Sequence, residues 1–355
     1  MAPGYIQLAI SFDKHVRSGL RMTLPKHTRS HGVGQRIICQ NLRLWIGRGE
    51  RTLGSMPLVS VVLIFLDEET FLDEAVRSVI DQTLTDWELI LVDDGSTDDS
   101  SRIAKVWAAR ESRIRYIDHP RHENRGMAAS RNFGVANSSA PFLAFMDADD
   151  VWISEKLAEQ VEVLKAMPDV AMVNGAMVLW YSWDSTSALR DTVVLTGAVE
   201  NRRFDPPDAA LNIYPLVPID GAGVDLMVRR TVFDEVGGFE ERFRGMYEDQ
   251  SFLIKVFLRY SIYISSRPWI LYRQHKDSAC AGTNQRQYLR IRGDFLDWLR
   301  EDVDQLGDPR VSAALRQARR RVRYRKPTAL IADRLWPLLS AVRACANRKG
   351  NRIGD

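Results

Sequence analysis

Leu58-Val59-Ser60-Val61-Val62-Leu63-Ile64-Phe65-Leu66 is a β-branched apolar run interrupted only by Ser60. Such unbroken apolarity suits a strand covered on both faces, as in a parallel sheet. Downstream the pattern alternates. Phe71, Leu72, Ala75, Val79 and Ile80 predict a helix over 69–82, and Trp87 to Val92 reads as a second strand. Gly95 permits a tight turn, and Ser96 or Asp98 can cap a helix over 98–110. Ile114 to Ile117 is a third strand, 126–138 a helix, Pro141 to Met146 a fourth strand, and 154–167 a helix that Ser154 can start. This alternation implies an α/β fold, a doubly wound, mostly parallel sheet flanked by helices.

The second half is mixed. Strands are expected over 170–180 and 223–228, a short helix over 231–236 closed by Gly237-Gly238, and a long helix over 249–260. The Pro-rich stretch 181–218 reads as looser, and the apolar stripe of Tyr288, Leu289, Ile291, Phe295, Leu296, Leu299 and Val303 predicts one helix over 285–306. Residues 1–56 show neither stripe nor alternation. There Lys14, Arg17, Arg21, Lys26, Arg29, Arg36, Arg43, Arg48 and Arg51 face only Asp13 and Glu50, a local charge of +7 in a chain of net +3. This basic extension is expected to be disordered or to precede a true start at Met56. The remainder divides into a larger α/β domain (57–280) and a helical, basic C-terminal region (281–355).

With 45% apolar and 27% charged residues in 355, wholesale disorder is excluded. Cys39, Cys280 and Cys345 form no CxxC pair, so neither a disulfide framework nor a zinc knuckle is expected. No apolar run approaches the roughly 18–20 residues that cross a bilayer, and the first residues lack a signal-peptide shape. The expectation is a cytoplasmic protein.

Chemistry concentrates in two places. In Phe145-Met146-Asp147-Ala148-Asp149-Asp150-Val151-Trp152 a strand runs into three carboxylates. Like charges this close resist joint ionisation without a cation, and hard oxygen ligands suit Mg²⁺ or Mn²⁺. An acidic turn capping a helix is the plainer reading. Leu91-Val92-Asp93-Asp94-Gly95-Ser96-Thr97-Asp98 again ends a strand, where a carboxylate could accept a base N–H or ribose hydroxyls, or merely shape the turn.

In order, these clusters resemble the family 2 glycosyltransferases of the GT-A fold. The resemblance runs through Val59-Ser60-Val61, Asp67-Glu68-Glu69, Ser78 to Thr83, Trp87 to Asp98, Asn124-Arg125-Gly126, Ala129-Ser130-Arg131-Asn132, Phe145 to Trp152, Gly237-Gly238-Phe239-Glu240 and Glu248-Asp249. It covers residues 58 to 278 and implies a nucleotide-binding half over 57–152 and an acceptor half over 153–280. It implies an inverting transfer of a sugar from a nucleotide diphosphate donor, such as a UDP-sugar, to a hydroxyl of a glycan or lipid-linked glycan. The loop containing Ile64, Phe65 and Glu68 is implied to line the nucleobase pocket, mostly through backbone. Ile64, Leu66 and Asp67 depart from the Pro, aromatic and Asn usual in the family. Asp94 is implied to meet the base, with Asp93 nearer the ribose or structural. Arg131 and Asn132 are implied to face the nucleotide, Arg131 balancing diphosphate charge or forming a helix-surface ion pair. Asp147 and Asp149 match the DxD pair: Asp147 is implied to serve ribose and metal and Asp149 the metal, with Asp150 implied to stand behind them. Asp249 is implied to be the catalytic base, with Glu248 orienting the acceptor. His275, in Tyr272 to Ser278, is implied to approach the metal or diphosphate.

Trp180, Tyr181 and Trp183 could stack on an acceptor sugar or pack the rim. Arg316, Arg319, Arg320, Arg321, Arg323, Arg325 and Lys326 precede Leu330, Ile331, Leu335, Trp336, Leu338, Leu339 and Val342, a pattern that fits peripheral contact with anionic lipid or an oligomer contact. No aromatic platform accompanies the basic run, so nucleic acid is not expected. Two other classes compete: a non-catalytic nucleotide-sugar-binding module, and a nucleotidyltransferase on a similar sheet. Asp249 speaks against the first. The second would carry a Gly-rich basic loop after the first strand, where this chain reads Phe65-Leu66-Asp67-Glu68-Glu69.

Overall fold

The computed structural model describes residues 56–198, 201–217, 223, 226–275 and 284–324. The basic extension 1–55 and the apolar stretch 330–343 lie outside the described residues. Among the described residues ten strands form one sheet. Its first part comprises β1 (Val59–Phe65), β2 (Trp87–Asp93), β3 (Ile114–Asp118) and β4 (Phe142–Asp147). These four are mutually parallel. β9 (Leu226–Arg229) runs antiparallel to both β4 and β6 (Val170–Trp180), and β10 (Ser261–Arg273) is parallel to β6. The six longest strands β1, β2, β3, β4, β6 and β10 therefore share one direction. The short strands β5 (Val151–Trp152), β7 (Thr192–Val194) and β8 (Arg202–Phe204) oppose them. The order across the sheet is β3-β2-β1-β4-β9-β6-β10-β5, with β7 beside β6 and β8 beside β10.

Strand period explains the two core layers. Val59, Val61, Leu63 and Phe65 of β1 face α1 (Leu72–Ile80), where Leu72, Ala75, Val76 and Val79 are fully buried. Val62 and Ile64 point to the opposite layer, built with Ala128 and Val135 of α3 (Met127–Ala136). The helix lies so close to β1 that a Cβ at Gly134 would stand 2.4 Å from Val62 Cγ1. α2 (Ser100–Arg110) and α4 (Lys156–Ala166) complete the flanks of the first half, and α5 (Asp208–Asn212) and α6 (Arg230–Val236) occupy the second. α7 (Glu248–Arg259) brings Phe252 against Phe145, Phe233 and Phe239, ring centroids 4.8–6.4 Å apart.

Beyond β10, the helix expected over 285–306 is two, α8 (Gln285–Trp298) and α9 (Arg300–Leu306). Leu299 between them keeps φ −62 and ψ −18, a local tightening toward 3₁₀ geometry. A helix over 309–324 follows. Val311, Leu315, Ala318 and Val322 are buried in the α3–α7 layer, so this region belongs to the core. Strand β10 itself escapes the sequence pattern, because Ser265, Ser266, Arg267 and Pro268 interrupt its apolar run. The structure absorbs them as register shifts between Ile264 and Ile270. Ser154 does not cap α4; its hydroxyl donates to Glu155 Oε2 at 2.8 Å. Among the described residues no helix is long and apolar enough to cross a membrane.

Candidate active site

Parallel register brings the ends of three strands to one edge: Phe65 stands opposite Asp93, and Ile64 opposite Asp147. The loops that leave β1 and β2 are laced together. Asp67 N donates to Ser96 Oγ at 3.1 Å, Glu68 N to Ser100 Oγ at 2.8 Å and Glu69 N to Asp98 Oδ2 at 2.9 Å. Ile64 and Phe65 are 6% and 3% exposed, so their side chains serve the core and only their backbone reaches this edge. The Phe65 carbonyl already accepts Asp94 N at 2.9 Å.

Asp93 and Asp94 shape the site's floor. Asp93 Oδ1 accepts Gly95 N and Ser96 N at 3.1 and 2.8 Å, and Oδ2 accepts the hydroxyls of Ser101 and Tyr116. Asp94 Oδ1 accepts Arg125 N at 2.7 Å and Ser130 Oγ at 2.9 Å, while Oδ2 accepts Gly126 N at 2.9 Å. Asp94 thereby sits at the amino end of α3, where free N–H groups favour a carboxylate. Gly95, at φ +90, passes so near that loop that a Cβ would meet Asn124 N at 2.8 Å. Asn132 turns away from this edge. Its Nδ2 donates to Phe239 O at 2.9 Å and its Oδ1 accepts Phe239 N at 2.9 Å.

Arg131 is 1% exposed and joins the two halves of the site. Nη2 donates to Asp147 Oδ1 at 2.7 Å, and Nη1 lies 3.5 Å from Glu248 Oε1. Burial works against its charge, but Asp147 and then Glu248 prevail and hold it above the ordinary arginine range. It is thus a buried internal ion pair in this structure, and among the described residues its Nε has no hydrogen-bond partner.

Glu248 opens α7, behind Tyr247 in the left-handed conformation (φ 67). The Tyr247 hydroxyl meets those of Tyr214 and Tyr288, and Arg292 Nη1 donates to it at 2.9 Å. Helix α8, which follows β10, therefore braces the start of α7, a support no motif announces. Asp249 Oδ1 accepts Gln250 N at 2.6 Å and Oδ2 accepts Gln250 Nε2 at 3.1 Å. Burial, then the adjacent Glu248 carboxylate, push Asp249 up to about 7, while Arg131 and the Gln250 bonds pull it back. Such a carboxylate is poised to take a proton near neutrality.

At the third strand end, Asp149 Oδ2 stands 3.0 Å from His275 Nε2. Burial and then Asp147 raise Asp149, and His275 lowers it. Glu68 belongs to the same electrostatic group: burial, Asp149, Asp98 and Asp147 push it up to about 7. Asp150 is 3% exposed and accepts Arg273 N at 3.0 Å, so it anchors main chain. Among the described residues no three His, Cys, Asp or Glu side chains stand close enough to hold a metal ion alone. The facing pair Asp149 and His275, with Asp147 in electrostatic reach, fits in kind a Mg²⁺ or Mn²⁺ that takes its remaining ligands from water and phosphate. Trp180 and Trp183 lie 4.4 and 5.1 Å from the Arg273 guanidinium, and Trp183 also packs on Phe71 with ring centroids 5.5 Å apart.

The model of the family described as glycosyl transferase family 2 matches residues 60–237, half of the chain. The putative teichuronic acid biosynthesis glycosyltransferase TuaG of Bacillus subtilis is 36% identical over 110 residues, 30% of this chain and 42% of that protein. The chain spans less than half the length of the other curated relatives compared, 31% and 21% in two of them and 43% and 46% in two others. Among solved structures, S. aureus TarS 1–349 in complex with UDP-GlcNAc superposes with TM-score 0.56 at 16% identity, covering 78% of this chain and 91% of that one. Mannosyltransferase PcManGT from Pyrobaculum calidifontis, in complex with GDP-Man and Mn²⁺, gives 0.51 at 17% identity over 87% of each chain. These likenesses establish a shared GT-A-type fold.

Proposed function

The chain belongs to glycosyl transferase family 2, and we propose that it is an inverting enzyme that moves a sugar from a nucleoside diphosphate donor, such as a UDP-sugar, to a hydroxyl of a glycan or lipid-linked glycan. Synthesis of surface polysaccharide or glycolipid is the setting that TuaG's name suggests. One observation carries the reading: the Asp147–Arg131–Glu248 ion-pair chain links the acidic strand end to Asp249 at the start of α7.

In this scheme the laced loops 65–69 and 93–100 frame the nucleoside, with Asp94 holding the wall that faces the base. Asp249 takes the proton from the acceptor hydroxyl as that oxygen attacks the anomeric carbon from the side opposite the phosphate. The carbon–oxygen bond to phosphate breaks, its electron pair leaves with the diphosphate, and configuration inverts. Glu248, fixed by Arg131, orients the acceptor. Asp149, His275 and Asp147 would hold Mg²⁺ or Mn²⁺, which supplies charge stabilisation for the departing diphosphate.

A thermal-shift screen of nucleotide sugars with Mn²⁺ tests the reading. One donor class should raise the melting temperature and then support transfer, and Asp149→Ala should lose both effects. A wild-type protein unmoved by every nucleotide sugar would refute the donor assignment. Full activity after exhaustive chelation would remove the metal.

The exposed arginines Arg316 and Arg320 line a groove of about 620 Å³ with Arg310, Leu211 and Val217. We expect this face to contact anionic lipid. Truncation is a poor test, because Val311, Leu315, Ala318 and Val322 are core. Instead, Arg316→Gln with Arg320→Gln should reduce co-sedimentation with phosphatidylglycerol vesicles but not with phosphatidylcholine. Equal sedimentation of the double variant and wild type on phosphatidylglycerol would discard the membrane role.

A further inference from the structure

Arg273 is 3% exposed and ends a strand whose course no sequence motif marks. It meets two consecutive residues of the acidic turn. Its main-chain N donates to Asp150 Oδ1 at 3.0 Å and its Nε to the Asp149 carbonyl at 2.7 Å. The far end of the fork, Nη2, donates to Glu74 Oε2 of α1 at 2.6 Å. Three rings enclose the guanidinium: Phe71 and Trp180 at 4.4 Å and Trp183 at 5.1 Å. The same cage governs His275. Phe71 packs its ring 5.2 Å from the imidazole, and Trp183 Nε1 donates to the carbonyl of Gln274 at 3.0 Å.

We infer that Arg273 is a positioning residue that fixes the main chain of Asp149 and, through the ring cage, delivers His275 to the Asp149 carboxylate. The inference rests on the reading of Asp149 as the residue facing the cation and diphosphate. Arg273 ties together three elements that the chain brings from afar: α1, the turn after β4, and the paired ends of β6 and β10, where Arg273 stands opposite Trp180. The fork is required. Nε and Nη2 donate to separate acceptors, Asp149 O and Glu74, while the plane lies among rings; a lysine ammonium keeps the charge and loses that geometry. Partners that orient a ligating residue typically alter metal affinity by about 10–100-fold when removed.

The test measures Mn²⁺ affinity in the presence of UDP, by calorimetry and by the paramagnetic signal of free Mn²⁺, on the full chain. Arg273→Lys should bind Mn²⁺ about 10–100-fold more weakly while its folded fraction keeps the wild-type circular dichroism spectrum. Glu74→Ala changes a half-exposed residue outside the cage and should weaken Mn²⁺ in the same direction by a smaller factor. Merely structural support would lower the melting temperature and leave the affinity of folded protein unchanged. Wild-type affinity in Arg273→Lys overturns the proposal, as does wild-type affinity in Glu74→Ala should the lysine variant fail to fold. Asp149→Ala separates the two levels. If it retains wild-type Mn²⁺ affinity, the site assignment falls and this inference with it, whereas a loss there beside an unaffected Arg273→Lys rejects only the role of Arg273.

Discussion

Asp249→Asn is expected to lower transfer by about 10²–10⁴-fold while the donor still binds with Mn²⁺. The substitution keeps the shape and removes the basic oxygen. Its amide can still accept Gln250 N, the 2.6 Å bond that Oδ1 makes now. The loss should appear in kcat rather than in the donor KM, because the acceptor proton is the group left without a destination. The pH dependence has a definite sign. A base works ionised, so kcat/KM should climb with pH and level off above about 7, where burial and Glu248 have placed Asp249. Stability moves the other way. In the unfolded chain this carboxyl ionises near its ordinary value of 3.8, so between 3.8 and about 7 the folded state retains a proton that the unfolded state has lost. Folding stability from this group therefore declines as pH rises through that window, and Asp249→Asn should flatten the decline. Transfer at the wild-type rate by Asp249→Asn would disprove the base assignment.

Much of the scaffold for this chemistry was legible because it is local. The alternation of Val59 to Phe65 across two core layers and the carboxylates at the ends of β2 and β4 are statements about neighbours in sequence. What local pattern could not disclose is how the freed side chains pair over distance. Asn132 sits in the same motif as Arg131, yet its amide is spent on Phe239, and a Cβ at Gly238 would stand 2.6 Å from its Oδ1. Arg131, expected to balance diphosphate charge or to form a helix-surface ion pair, is buried between carboxylates from two other elements. Arg273 lies 124 residues from Asp149 at the end of a strand that Pro268 disguises. The tyrosines around Arg292 carry no motif. Their only signal is that an arginine on the apolar stripe of α8 must find polar partners.

Arg131→Gln is expected to be the most damaging single change to the fold near the site. The guanidinium is 1% exposed and answers two carboxylates, Asp147 at 2.7 Å and Glu248 at 3.5 Å. Removing one member of a buried ion pair leaves the other charge uncompensated, typically at about 3–5 kcal/mol, and a change of this size should lower the melting temperature on the order of 10 °C. Pairing it with Glu248→Gln should recover part of the loss, because the stranded charge goes with it; strict additivity of the two substitutions would show that the pair is not coupled. A second consequence concerns chemistry. The charges acting on Asp249 are Glu248, which raises it, and Arg131, which lowers it, with the Gln250 bonds also lowering it. Deleting the only cation of this set leaves the base harder to ionise, so the acid limb of the kcat/KM profile must move to higher pH. A limb that stays put in folded Arg131→Gln would mean that Arg131 holds the architecture together without tuning the base. A shift to higher pH would mean that one buried arginine couples the acidic strand end to proton removal at the start of α7.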